Sequence, residues 1–352
     1  MLERESTCPQ CGTQVAPALL SCPRCQRLVH AEKLKQLAQE AERLTQSNEL
    51  TAALTVWRDA LQLLPPGSRQ HQTILARIQT ISRQNDSSAS PSLSSRAPES
   101  HSTHANKKAG LKLAGLVAIG LLLWKFKFIV VLVLTKLKFL LLGLTKASTL
   151  FSMLLSFGVY WAAWGWKFAL GLVLSIYVHE MGHVFALTRL GIRASAPMFI
   201  PGFGAMVRLK QYPADPHEDA RIGLAGPLWG LGAAIAAYVV FLVTGELFWA
   251  AIARVGAWIN LFNLLPVWQL DGGRGFRALS RAQRWLVVAA LATMFILTNE
   301  GLLLLLLLAA GFRALQKTDA TVSDRLALLQ FIFLVVTLSL LCTIHVPVNT
   351  AP

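Results

Sequence analysis

Residues 168–187 read FALGLVLSIYVHEMGHVFAL, an apolar run of about 20 residues, which is the length that an α-helix needs to cross a bilayer. His179, Glu180 and His183 interrupt the second half of this run. Ionisable side chains at bilayer depth are costly unless partners compensate for the lost hydration, so we expect these three to serve a chemical purpose. The alternative is a structural one, in which neighbouring backbone groups simply hydrogen-bond the two histidines.

The spacing from His179 to His183 is that of a zinc site built on one helix. Residues four apart lie on the same helical face, so the two imidazoles can bind one ion, while Glu180 can reach a metal-bound water. A catalytic zinc normally has three protein ligands and one open position, so a third ligand must come from elsewhere. Asp271 is the favoured candidate, because it follows the apolar stretch 261–270 and precedes two glycines that let the backbone pass close to a metal. Less favoured candidates, in a charged loop or beside glycines at predicted turns, are His217, Glu218, Asp219, Glu246 and Glu300.

The composition of the chain indicates that much of it meets lipid. Of its 352 residues, 54% are hydrophobic and only 14% are charged, whereas an ordinary soluble domain has about 25% charged residues. We predict a polytopic α-helical membrane protein with about four to six membrane segments, preceded by a soluble region. Between residues 191 and 220, prolines and glycines separate short apolar pieces, which predicts a small β-hairpin or a re-entrant loop. The clearest candidate segments are 168–187, 222–243, 247–265, 285–308 and 326–346.

The formal net charge of +15 does not indicate a nucleic-acid partner. Many of the lysines and arginines flank apolar segments, where such residues set membrane topology and contact lipid headgroups. No early apolar stretch combines a basic leader with a small-residue cleavage site, so we expect no removable secretory signal and a cytosolic amino terminus. The pattern predicts a multi-pass integral protein of a bacterial-type cytoplasmic membrane, in contact with the lipid bilayer.

Four of the five cysteines form two Cys-x-x-Cys pairs, Cys8 with Cys11 and Cys22 with Cys25. In a reducing cytosol such pairs are metal ligands more often than disulfides, and four thiolates on two tight turns suit a tetrahedral structural zinc ion. We therefore predict a zinc ribbon over residues 1–30. A redox pair or an empty site is the alternative.

Residues 31–83 carry apolar side chains at three- and four-residue spacing, which predicts short amphipathic helices, and 52–61 looks like part of a tetratricopeptide repeat. One such unit cannot bury its own apolar face, so the region is either a helical spacer or a docking site for a protein partner. Residues 84–108 are polar, which predicts a disordered linker. The membrane-embedded domain then occupies 109–346, and 347–352 form a tail.

Three glycines, Gly223, Gly226 and Gly230, follow one another at three- and four-residue spacing inside an apolar segment. Small residues at this spacing allow two membrane helices to approach closely. We expect close helix packing along this stripe, with a passage for substrate as the alternative.

The motif His-Glu-x-x-His in an apolar helix, followed by Asn263-Leu-Leu-Pro266 and by Leu-Asp271-Gly, resembles the site-2 protease family of intramembrane zinc metalloproteases. The resemblance covers residues 166–278, about a third of the chain. It implies that Asn263 and Pro266 shape or orient the substrate beside the metal. For Asn263, a role in capping local backbone is the alternative.

The resemblance also implies that His179, His183 and Asp271 bind a catalytic zinc and that Glu180 is the general base. The expected function is then an intramembrane zinc metalloendopeptidase that hydrolyses peptide bonds of membrane-protein substrates in regulated intramembrane proteolysis. It would use one catalytic and one structural zinc ion. The alternatives are a membrane-tethered adaptor with a catalytically idle membrane domain and a metal-dependent hydrolase of a non-peptide substrate.

Overall fold

The computed structural model describes residues 6–8, 10–16, 19–88, 147–202, 204–207, 211–268, 270–316 and 323–346. Most of the predicted linker 84–108, the first part of the predicted membrane domain (109–146) and the predicted tail 347–352 lie outside these ranges. Within them the chain is mainly helical and has two small antiparallel sheets of two strands each.

The amino-terminal region consists of a small hairpin followed in sequence by a second, shorter β pairing. Strand β1 (Ser6–Thr7) pairs antiparallel with β2 (Gln14–Val15). An isolated antiparallel bridge joins Ser21 and Leu28. Each Cys-x-x-Cys segment lies in the loop that one of these pairings closes, which is the arrangement expected of the predicted zinc ribbon.

A compact group of helices follows, and we refer to residues 31–88 as the helical module. It consists of α1 (Ala31–Gln46), α2 (Leu50–Leu61) and α3 (Arg69–Ser88). The apolar faces of the three helices form one core around the fully buried side chains of Leu54 and Ile78. Helix α3 runs to Ser88, so the first residues of the range predicted as a linker are helical.

In the described part of the predicted membrane region, the regular structure is helical apart from one hairpin, which confirms the predicted fold class. Three of the described helices, Trp166–Arg189, Pro216–Thr244 and Arg325–Cys342, are long and apolar enough to cross a membrane. The helices are α4 (Ala147–Trp164), α5 (Trp166–Arg189), α6 (Pro216–Thr244), α7 (Leu247–Asn263), α8 (Asp271–Arg277), α9 (Arg281–Thr298), α10 (Gly301–Leu315) and α11 (Arg325–Cys342).

The single segment predicted over 285–308 is wrong, because the chain turns back in its middle. Helix α9 ends at Thr298, and Asn299 adopts a left-handed conformation with φ 53° while its N–H donates to the carbonyl of Phe295. Asparagine tolerates this conformation better than most residues, so it ends α9 without glycine. Helix α10 begins at Gly301 and packs against α9. The apolar residues on both sides of the turn conceal it in the sequence.

The hairpin predicted between residues 191 and 220 is present. Strand β3 (Met198–Ile200) pairs antiparallel with β4 (Gly204–Met206). Helix α4 fixes it: the Ser152 hydroxyl accepts from the N–H of Phe199 at 3.1 Å, and the Tyr160 hydroxyl accepts from the N–H of Gly202 at 3.0 Å. With these bonds, Ser152 and Tyr160 of an otherwise apolar helix satisfy two backbone donors of the hairpin away from water.

Candidate metal centre

His179 and His183 lie one turn apart on the buried face of α5, covered by α6 and α7. Their Nε2 atoms are 3.2 Å apart. Because four residues make slightly more than one helical turn, both rings project into the same space between the helices. The structure thus brings the two predicted histidines together.

The other ring nitrogen of each histidine has a fixed partner. His179 Nδ1 is 2.7 Å from the Oδ1 of Asn260 on α7, and His183 Nδ1 is 2.8 Å from the carbonyl oxygen of Ile222 on α6. The Nδ2 group of Asn260 donates to the carbonyl of Gly256, which fixes the orientation of the amide. Both Nδ1 atoms therefore face acceptors and carry the ring proton in the neutral imidazole, so both Nε2 atoms present lone pairs.

Asp271, the first residue of α8, brings its carboxylate to the same point. Its Oδ2 is 3.1 Å from His179 Nε2, and its Oδ1 is 3.3 Å from His183 Nε2. The glycine that follows explains how α8 comes so close: a Cβ on Gly272 would lie 1.8 Å from the carbonyl oxygen of Leu264 at the end of α7. Only glycine allows this approach, which gives the predicted Asp-Gly-Gly sequence its physical reason.

These three side chains fit a zinc ion. Bonds of about 2.0–2.2 Å in a tetrahedral arrangement place two ligand atoms about 3.3–3.6 Å apart. The two Nε2 atoms are 3.2 Å apart, and they lie 3.1 Å from Oδ2 and 3.3 Å from Oδ1 of Asp271, which is close to that spacing. With both Nδ1 atoms protonated, the two Nε2 atoms and the two Asp271 carboxylate oxygens are acceptors that face one another with no proton between them. A cation at their centre would relieve this repulsion, whereas no hydrogen bond among them can.

Glu180 and Asn263 lie beside this cluster. One carboxylate oxygen of Glu180 and one donor atom of each histidine lie within 4.8 Å of one another, and Glu180 is buried. The Nδ2 of Asn263 is 3.5 Å from His179 Nε2. Pro266 is buried in the connection between α7 and α8, and its contact with a substrate stays a prediction.

The less favoured acids and His217 point elsewhere. His217 contacts Asp324, Glu218 pairs with Arg58, and Asp219 pairs with Arg274. Glu246 and Glu300 are the residues that precede α7 and α10 at the far ends of α6 and α9. The choice of Asp271 over these residues therefore agrees with the geometry.

The glycine stripe of α6 makes room for the whole cluster. A Cβ on Gly226 would lie 2.2 Å from His183 Nε2 and 2.7 Å from His179 Nε2, and a Cβ on Gly230 would lie 2.0 Å from Asn260 Oδ1. The sequence predicted close packing at these positions, but it did not indicate that the neighbours are the His179 and His183 rings and the Asn260 side chain. Asn260 was missed altogether, although an uncharged polar residue in an apolar helix one turn before Asn263 was the available signal.

The four amino-terminal cysteines form a second cluster. The Sγ atoms of Cys8 and Cys25, and those of Cys11 and Cys22, are 3.6 Å apart, and all four lie within 4.8 Å of one another. Tetrahedral Zn–S bonds of about 2.3 Å require about 3.8 Å between sulfurs, so the cluster fits zinc. Hydrogen bonds from the Thr13 hydroxyl and N–H lower the pKa of Cys11 to about 6, which makes one thiolate available at neutral pH.

Comparison with known proteins identifies the segment that carries the histidines. Residues 167–247 match the model of peptidase family M50. The match confirms the resemblance to the site-2 protease family over helices α5 and α6, and it contains His179, Glu180, His183 and Gly226.

Curated relatives each match about a third of the chain. A zinc metalloprotease of Methanocaldococcus jannaschii is 26% identical over 113 residues, which is 31% of this chain and 32% of the relative. The stage IV sporulation protein FB of Bacillus subtilis is 31% identical over 115 residues, 31% of this chain and 38% of the relative. The Rip3 protein of Mycobacterium tuberculosis is 33% identical over 131 residues, 34% of this chain and 32% of the relative. The chain thus spans about a third of the length of these relatives, and no solved structure matches it.

The first prediction concerns Gly226, where the backbone of α6 passes close to the two histidine rings. We expect Gly226→Ala to prevent zinc binding at the histidines, because the added methyl group would overlap the ring nitrogens that bind the ion. Zinc content of the purified protein measures this. Gly232→Ala on the same helix is the control, since no described atom beyond the adjoining backbone of its own helix lies within 4 Å of its Cβ position. Normal zinc content in the Gly226 variant would contradict the assignment of this site.

Asn260 leads to a second prediction. Without its oxygen, the His179 ring loses the acceptor that orients it, and loss of such a partner typically lowers metal affinity about 10- to 100-fold. We expect Asn260→Ala to show this loss in a zinc competition titration with a chelator. Asn263→Ala, one turn away, should keep an affinity close to that of the wild type. Equal affinities in all three proteins would show that Asn260 does not orient the ligand.

Proposed function

We propose that this chain is a zinc metalloprotease that hydrolyses peptide bonds of membrane proteins within or beside the bilayer. The observation that carries the proposal is the convergence of His179, His183 and Asp271 from two distant segments on one buried point. The M50 match and the name of the M. jannaschii relative support the reaction class. Regulated intramembrane proteolysis is the process in which such a site would act.

In this proposal His179, His183 and Asp271 hold the catalytic zinc. When bound in such a site, zinc lowers the pKa of a water molecule to about 7 and polarises the carbonyl that the water attacks. The hydrogen bonds of Asn260 and Ile222 keep the two Nε2 lone pairs directed at the ion. Three protein ligands leave a fourth position open, as a catalytic site requires.

Glu180 is the proposed general base. It follows one ligand directly in sequence, and its carboxylate lies close to both histidines without being needed as a ligand. Glu180 would accept the proton of the attacking water and deliver it to the nitrogen of the leaving amine, so one carboxylate would serve both proton transfers.

Asn263 and the β3–β4 hairpin are proposed to hold the substrate. The Asn263 amide, 3.5 Å from His179 Nε2, can donate a hydrogen bond to a substrate carbonyl beside the metal. A substrate helix must unwind before its peptide bonds can react, and an extended segment can pair with the edge of a hairpin. Phe199 of β3 stacks on Tyr177, two residues before His179, which ties the hairpin to the helix of the site.

We further propose that the protein crosses the membrane several times and that the helical module lies on the cytosolic side of a bacterial-type membrane. His183 is about 9 Å along α5 from Arg189, the end that faces the module. Water needs only a short path to the site from that side. The four cysteines would hold a structural zinc ion in the same compartment.

The most direct test of the proposed function is Glu180→Gln. We expect cleavage of a membrane-protein substrate to fall by about 10²- to 10⁴-fold, because the amide cannot accept the proton, while zinc content stays normal. Glu246→Gln, at an exposed glutamate, is the matched control. Undiminished cleavage by the Glu180 variant would refute the protease proposal and would favour the adaptor.

A separate prediction concerns the cysteine cluster. We expect Cys22→Ser to lower the zinc content from about two ions to about one per chain, since three thiolates hold the ion less well than four. Cys342→Ser, at a buried cysteine of α11, should leave the zinc content unchanged. Elemental analysis of both variants measures the number of zinc ions per chain. A zinc content that does not respond to Cys22 would mean that the cluster does not hold the ion.

A further inference from the structure

Arg58 of α2 is a buried cation in the helical module, with only 2% of its surface exposed. Its Nη2 donates to both carboxylate oxygens of Glu218 at 2.8 Å, and its Nε donates to the carbonyl of Leu190 at 3.0 Å. Each of these partners belongs to the membrane domain. The module therefore contacts that domain through a buried charge whose hydrogen-bond partners all lie across the contact.

Glu218, in the first turn of α6, is enclosed by hydrogen bonds. Its carboxylate also accepts from the N–H of Ala214 at 2.7 Å, and its own N–H donates to the Asp215 side chain that caps the helix. Glu218 is itself buried. A buried carboxylate is stable only when it is paired, so the start of α6 depends on the guanidinium that the module supplies.

The module also holds the turn that follows α5. The side-chain amide of Asn85 donates to the carbonyl of Arg189 at 3.0 Å. Gly191 has a φ of 66°, and a Cβ there would lie 2.8 Å from the backbone nitrogen of Thr55 on α2. Helix α2 thus packs directly on the backbone of this turn.

Leu190 and Glu218, the two residues that Arg58 contacts, both lie close in the chain to residues of the proposed zinc site. Leu190 follows the helix that carries His183, and Glu218 lies one turn before Ile222, whose carbonyl orients the His183 ring. Arg58 connects the end of α5 to the start of α6. A change in the distance between these two helix ends would therefore move the carbonyl of Ile222 relative to the His183 ring.

We propose that the helical module is a positioning element of the zinc site and that Arg58 is its key residue. By bridging Leu190 and Glu218, Arg58 fixes α5 against α6 and keeps His183 in the orientation that binds the ion. The planar guanidinium of Arg58 donates from Nε to Leu190 and from Nη2 to Glu218, which lie in different directions. The ammonium group of a lysine has a single nitrogen and cannot bridge the two partners in this way. The consequence for cleavage rests on the proposed function, whereas the consequences for docking and metal affinity do not.

The test compares Arg58→Ala and Arg58→Lys with Arg77→Ala in the full chain. Arg77 is the matched control, because its exposed ion pair with Glu42 lies within the module. Three quantities are measured: amide hydrogen exchange over residues 189–193 and 214–222, zinc affinity by chelator competition, and kcat/KM. The zinc bound at the four cysteines is measured separately in the Asp271→Ala variant, which lacks one proposed ligand of the histidine site.

We expect Arg58→Ala to raise exchange in both segments and to lower zinc affinity and kcat/KM at least tenfold, with Arg58→Lys between it and the wild type. Arg77→Ala should match the wild type. If exchange rises while zinc affinity and kcat/KM stay at the wild-type level, the module is only attached and the proposal is overturned. Unchanged exchange would overturn it as well.

A double variant separates positioning from the cost of an unpaired charge. Arg58→Met with Glu218→Gln removes both charges, so no buried carboxylate is left without a partner. We expect its zinc affinity to remain at least tenfold reduced. Recovery of wild-type affinity would show that Arg58 only neutralises Glu218. If the wild type cleaves no peptide, the proposed function fails, while exchange and zinc affinity still decide this proposal.

Discussion

The structure of this protein depends on two imidazole nitrogens and a carboxylate that face one another in a water-poor interior. His179 and His183 each use Nδ1 for a hydrogen bond, which directs both Nε2 lone pairs at the same point as Asp271. In the low dielectric of the interior, such a cluster of acceptors is unfavourable without a cation. A zinc ion bound there would turn this unfavourable arrangement into an attraction that joins α5 to α8.

The surrounding helices are shaped by the need to bring these groups close together. Gly226 and Gly230 allow α6 to pass over the histidine rings and Asn260, and Gly272 allows α8 to begin against the end of α7. Lipid offers no hydrophobic drive for helices to associate, so close packing at small residues and a few strong polar contacts must hold them. The buried pair of Arg58 and Glu218 adds such a contact where α5 and α6 meet the helical module.

The sequence predicted the parts of the site that have a characteristic spacing. The histidines four residues apart, the Asp-Gly-Gly turn and the paired cysteines each imply local geometry, and the structure places them accordingly. Asn260 and Arg58 could not be predicted in the same way, because their partners are remote in sequence and only the tertiary fold brings them together. The turn at Asn299 was missed for another reason: one left-handed residue between two apolar helices changes composition very little.

The central claim is that one divalent ion lies among His179, His183 and Asp271. Anomalous scattering at the zinc edge from crystals of the full-length protein tests it most directly. The account predicts a peak about 2.0–2.2 Å from both Nε2 atoms and from an oxygen of Asp271, apart from any peak at the cysteine cluster. Density without a peak at this point, or an Asp271 carboxylate turned away from the histidines, would contradict it.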